Sequence, residues 1–194
     1  MGTLFVDKLD PQSGTSLEIG SSGDTITIPS GCTITNNGTQ SGFGGTNTPA
    51  FEAYLSANQT LSESTITKIN FNTEIIDTNS AYDNTTNYRF TVPSGEGGNY
   101  FIYTNLVLAS VSTFKLYFAE IQIHINGTAY KRVAYYDNQS YQMNYIPIGI
   151  QLTKNLSVGD YVEIYVSMNS WGAGGVKVNE HSKGSFFGAY KLIS

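Results

Sequence analysis

FTVPSGEGGNYFIYTNLVLA, residues 90–109, begins with a short apolar run, turns at Pro93, Ser94 and Gly95, and then continues through 98–109 without a single charge. Tyr100, Ile102, Thr104 and Leu106 alternate with Phe101, Tyr103, Asn105 and Val107. Side chains switch faces at every residue of a strand, so this spacing predicts a strand whose two faces are both largely apolar. One such face meets a core. The other needs a second layer or a second subunit, because a lone chain leaves it wet.

Outward from this strand the pattern repeats. Residues 50–55, 65–71, 88–92, 113–125, 128–136, 145–152, 161–168 and 184–193 carry β-branched and aromatic residues bounded by turn chemistry. Asn126-Gly127 between two such runs is a two-residue hairpin signal, and Val158-Gly159-Asp160 is a further turn. No long run keeps a helical apolar period. Composition agrees: among 194 residues there are 21 Thr, 20 Ser, 17 Asn, 20 Gly and 14 Tyr, a mixture suited to pleated surfaces and turns. About nine strands with frequent turns predict an all-β sandwich or jelly roll.

The chain divides by texture. Residues 1–35 are nearly free of aromatics but patterned: Leu17 and Ile19, then Ile26 and Ile28, then Cys32 and Ile34 alternate with polar residues, separated by turns at 20–23 and 29–31. Three thin strands are expected there. One copy buries too little to offset its ordering entropy, so the segment reads as an attachment or trimerising element. Residues 36–48 form a linker rich in Gly, Asn and Thr, and 49–194 form the aromatic head.

Several function classes are disfavoured. The formal charge is −5 and cations form no stripe, so nucleic acid is not expected as a partner. No apolar run approaches the roughly 20 residues of a bilayer span, so membrane insertion is not expected either. Met1 to Asp7 lacks a signal-peptide pattern, which leads us to expect synthesis in a cytoplasm. Cys32 is the one cysteine, too few for a disulfide within the chain or a cysteine-rich zinc site. The usual catalytic motifs are absent, apart from a bare S-x-x-K at Ser112 to Lys115, and no catalytic residue and no cofactor are expected. A carboxylate pair drawn from Glu63, Asp77, Asp83, Glu96, Asp137 and Glu180 would need proximity that spacing does not show.

Binding chemistry is better represented. Tyr135, Tyr136, Asp137, Asn138 and Tyr141 place aromatic faces beside carboxylate and amide groups, the mixture that recognises sugars or polar protein surfaces. Trp171, the only Trp, stands among glycines as either a plug over the core or a contact residue, and His181 lies in the same loop region. His124 should point away from the isoleucine face of its strand.

Four stretches resemble the C1q-like domain: Pro49-Ala50-Phe51-Glu52-Ala53-Tyr54; Phe90-Thr91-Val92-Pro93 followed by 98–103; LSVGDYVEI at 156–164; and SFFGAYKL at 185–192. The resemblance spans 49–193 and implies a ten-stranded jelly roll related to tumour necrosis factor that associates as a tight trimer. Some C1q-like trimers hold calcium through Asp and Asn or Gln side chains; Asp137, Asn138 and Gln139 would offer such ligands, although the family's ligand positions are not cleanly matched. Residues 3–9 and 14–20, TLFVDKL and GTSLEIG, are similar to the start of fibre-like virion proteins of bacteriophages. Together the resemblances imply a virion fibre or knob protein, made in the host cytoplasm. Its N-terminal segment would grip another virion protein and its trimeric head would adhere to a host-surface glycan or protein. The alternatives are a capsid or tail decoration without a receptor, and a depolymerase of surface glycan.

Overall fold

A computed structural model describes residues 7–38, 48–111, 116–136, 145–171 and 174–192. The chain separates into two compact units, Met1–Phe43 and Gly44–Ser194.

In the first unit the expected turns form. Gly20, Gly23 and Gly31 adopt φ of 84°, 94° and 88°, and Asp24 closes its turn by accepting the Ser21 N–H at 2.7 Å. The three expected strands do not form among residues 7–38, where only Pro11 is even partly covered. The physical reason is that a single copy supplies neither a backbone to pair with nor a surface to pack on.

Among the described residues the second unit is a sandwich of thirteen strands: β1 (Ala50–Tyr54), β2 (Gln59–Leu61), β3 (Thr67–Lys68), β4 (Thr73–Asp77), β5 (Tyr82–Asp83), β6 (Arg89–Thr91), β7 (Gly98–Ser110), β8 (Leu116–Ile125), β9 (Thr128–Tyr136), β10 (Tyr145–Leu156), β11 (Tyr161–Ser170), β12 (Val176–Asn179) and β13 (Phe186–Lys191). The all-β expectation holds. The first sheet runs β2-β12-β7-β13-β1-β4, with β10 on the free side of β7. The second runs β5-β6-β11-β8-β9, with β3 also pairing β11. β12 and β13 lie in tandem along β7, pairing Val176 with Ser110 and Phe186 with Asn105. Between them the chain makes a short turn at His181–Lys183.

The core is aromatic at its centre. Phe51 stacks on Tyr82 at 4.7 Å and on Phe90 at 5.1 Å, and meets Phe187 edge-on at 4.9 Å. Each such buried ring contributes about 1.5–3 kcal/mol. The hairpin between β8 and β9 turns at Asn126 and Gly127 with φ of 52° and 76°, as the sequence predicts.

The opening stretch behaves as two-sided. Tyr100, Ile102, Thr104, Leu106 and Leu108 face the core, whereas Phe101, Tyr103 and Asn105 lie half-buried on the outer face. There Phe101, Tyr103, Phe186 and Tyr190 form one aromatic field, with ring centroids 5.5 to 6.4 Å apart. The Tyr103 hydroxyl donates to Glu52 at 2.8 Å. Gly188 lies beneath the Tyr103 ring and close to the Phe51 carbonyl, where an added Cβ would meet that ring and lie 2.9 Å from the oxygen.

The sandwich has two distinct poles. β1 starts at Ala50 opposite Tyr190, and Lys191 pairs with Tyr100, so the chain enters the head near the start of β7. At the other pole β7 ends and β8 begins, β9 ends and β10 begins, and β11 ends and β12 begins.

Candidate functional site

The pole away from the chain's entry carries two tilted, partly exposed aromatic pairs, each built on one of two neighbouring residues of β8. A register shift between Asn169 and Ser170 lets Phe118 pair with Asn169 and Leu116 with Ser170, which leaves Tyr117 unpaired beside the end of β11. Tyr117 meets Trp171 at 4.8 Å and Phe118 meets Tyr136 at 5.1 Å. Trp171 is 42% exposed and Tyr136 75% exposed. Trp171 is therefore not a plug over the core; it leans on Tyr117 and keeps part of its surface exposed.

This pole is held in place from below. The Asn169 side-chain oxygen accepts from the Ser64 N–H at 2.7 Å and the Ser64 hydroxyl at 2.8 Å. Ser170 donates to Glu63 at 2.5 Å, and the Val111 N–H reaches the Gly175 carbonyl at 3.0 Å. Aromatic faces on a fixed base suit stacking on an apolar sugar face or a protein surface.

The other expected site residues separate. Tyr135 turns inward and packs on the core, because alternation along β9 puts it opposite Ala119 while Tyr136 points out. Asp137, Asn138 and Tyr141 lie outside the described residues, as do Gln139, on which the calcium expectation also rested, and Ser112 to Lys115. His181 is exposed in the turn between β12 and β13, its ring 6.3 Å from that of Tyr145. Sequence reasoning missed Tyr117 and Phe118, because the register shift at the start of β8 that sets Tyr117 beside Trp171 leaves no mark in the residue pattern.

The candidate acids serve their own loops. Asp77 accepts from the Ala81 and Tyr82 N–H groups at 3.0 and 3.2 Å. Asp83 accepts from the Thr85 and Thr86 N–H groups and from the Asn87 amide, which hold its carboxyl well below the usual range. Glu96 pairs with Lys191 at 2.9 Å, and Glu180 accepts the Ser182 N–H at 2.7 Å. A groove of about 270 Å³ bordered by Asn79, Tyr82, Asp83 and Pro93 holds one carboxylate, not a pair. Among the described residues no three of His, Cys, Asp and Glu come together to hold a metal ion.

A polar ladder crosses the outer face of the second sheet. Lys68 pairs with Glu163 at 3.1 Å, and the Tyr165 hydroxyl donates to Glu163 at 3.4 Å. The Tyr165 ring stacks on His124 at 4.1 Å, and His124 Nε2 meets Gln122 at 2.8 Å. The Gln122 amide in turn donates to Glu120. His124 thus points away from the isoleucines, as expected, and burial pushes its imidazole pKa down.

No family model and no curated protein sequence matches the chain. Solved structures do. Murine APRIL at pH 5.0 superposes with a TM-score of 0.54 at 14% identity, covering 74% of this chain and 98% of that one. Eiger TNF from S. frugiperda gives 0.53 at 13%, covering 74% and 91%. The globular domain of zebrafish complement 1qA gives 0.51 at 13%, covering 74% and 97%. The head is a C1q- and TNF-like jelly roll. Identities this low speak for the fold alone, and the C1q-like expectation from the four sequence stretches holds at that level.

Proposed function

We propose that this chain is a homotrimeric fibre or knob protein of a bacteriophage particle. In this reading the N-terminal segment anchors it to another virion protein, and the jelly-roll head binds a host-surface glycan or protein. The observation that carries the reading is the two partly exposed aromatic pairs, Tyr117 with Trp171 and Phe118 with Tyr136, at the pole opposite the chain's entry. Attachment at one pole leaves the other free to meet a surface. The half-buried aromatic field around Tyr103 supports the trimer, since neighbouring copies would cover a face that one sandwich leaves wet. The phage setting rests on the likeness of residues 3–9 and 14–20 to fibre-like virion proteins.

The mechanism is multivalent adhesion without catalysis or cofactor: three weak sites per head, and several heads per particle, multiply avidity without any new contact. Adsorption measurements test it. Purified protein should block adsorption of the particle to its host, and Trp171→Ala or Tyr136→Ala should weaken that block with the melting temperature nearly unchanged, because exposed side chains usually contribute within about 0.5 kcal/mol to stability. A chelator should leave adsorption as it was. Particles that carry the protein but are not blocked by it would point to a decoration, and release of reducing sugar from host polysaccharide would point to a depolymerase.

A further inference from the structure

Among the described residues, 9–34 hold a set of aliphatic side chains that stand open to solvent. Leu9, Leu17, Ile19, Ile26, Ile28 and Ile34 are 42 to 60% exposed, although aliphatic side chains of this size are normally inside. They are not scattered. Leu17 and Ile19, Ile26 and Ile28, and Cys32 and Ile34 are each two apart, so every short run turns its apolar residues to one side. Between the runs, the closed turns at Ser21–Asp24 and Pro29–Cys32 are already formed. The corners are in place, and the straight runs lack only partners for their backbone groups and their apolar side.

We propose that the partners are the same runs of sister chains, so that residues 9–34 of the three copies wind about a shared axis with their aliphatic side chains turned inward. This rests on the homotrimer proposed above for the number three. The charge pattern selects the occupant. From residue 25 to residue 38 there is no charged side chain, so identical copies align there without repulsion, and the acids of the segment, Asp10, Glu18 and Asp24, all precede that stretch. Alternating Thr and Ile suits pairing between copies, since β-branched residues fit a pleated surface. The segment would take up strand structure only on assembly, which accounts for formed turns beside unformed strands in one chain.

Cys32, the chain's only cysteine and an exposed one, shares the parity of Ile34 and so reports on the axis. The full-length protein at low concentration is treated with a short bismaleimide, analysed on a denaturing gel, and sized in parallel by light scattering. The expected result is a trimer by scattering in which two chains are joined through Cys32 and the third runs as monomer. Ile26→Asp and Ile28→Asp should reduce the joined band several-fold while the particle stays trimeric through its head. A trimer that never cross-links, or cross-linking indifferent to both substitutions, overturns the winding of the segments and leaves the trimeric reading standing. A monomer by scattering, with no joined band, overturns both.

Discussion

His124 is covered by neighbours whose charges matter to it: Tyr165 stacks on its ring, Gln122 bonds it, and Glu163 and Arg132 act on it at longer range. Burial is the largest influence and lowers its pKa in the folded protein, so folding favours the neutral ring. The associated stability is complete above the unfolded-state value near 6.5 and is lost progressively as pH falls from there through the lower folded-state value. Melting temperature should therefore decline below about pH 6.5, and less so in His124→Gln. Gly188 offers a second test. A methyl group there must displace the Tyr103 ring, so Gly188→Ala should cost about 1–3 kcal/mol by urea unfolding and, in the proposed trimer, weaken subunit association. The turn at 181–183 carries the opposite sign. Ser182 sits at φ 52°, ψ 47°, a left-handed conformation costing a residue with a Cβ roughly 1–2 kcal/mol, so Ser182→Gly should raise the melting temperature.

Among the elements, those readable in the sequence are the ones that carry their own pattern. β9 falls on residues 128–136 as expected, and β7 extends the expected run by one residue, because period-two alternation and the Asn-Gly turn are local properties. β2, β4, β5 and β12 went unread. Each is five residues or fewer, and each owes its shape to the strand it pairs with. In β4, Ile75 and Ile76 are both exposed, so no alternation announces a strand that forms because β1 lies beside it. The site shows the same limit: Trp171 stood out as the only Trp, but its partner Tyr117 depends on a bulge that no residue type marks. Just beyond β4, the Thr78 hydroxyl accepts from the Ala50 N–H at 2.7 Å and faces its carbonyl at 3.2 Å, tying the start of β1. Thr78→Val should lower stability by about 1 kcal/mol, read as a shift in urea midpoint.

For the whole molecule, the outer aromatic field predicts a particle of three times 21.1 kDa by light scattering. A stable monomer at micromolar concentration would remove the assembly from the account. On the function proposed above, the head should stay folded and trimeric after deletion of residues 1–40, since the described core lies entirely beyond Pro49, while incorporation into particles should be lost. If the head is held by its N-terminal chain and bound at the far pole, any tug between particle and host enters at Ala50 and runs along the strands. β1 is bonded on both flanks, to β13 and to β4, and its first turn of backbone is tied again by Thr78 and by the Lys191 N–H on Pro49. Pulled lengthwise, those bonds are sheared together instead of being unzipped one at a time. Under that proposal, a head mounted this way would resist tearing in the direction of the drag, with the ladder of Ala50–Tyr54 among the first to bear the load.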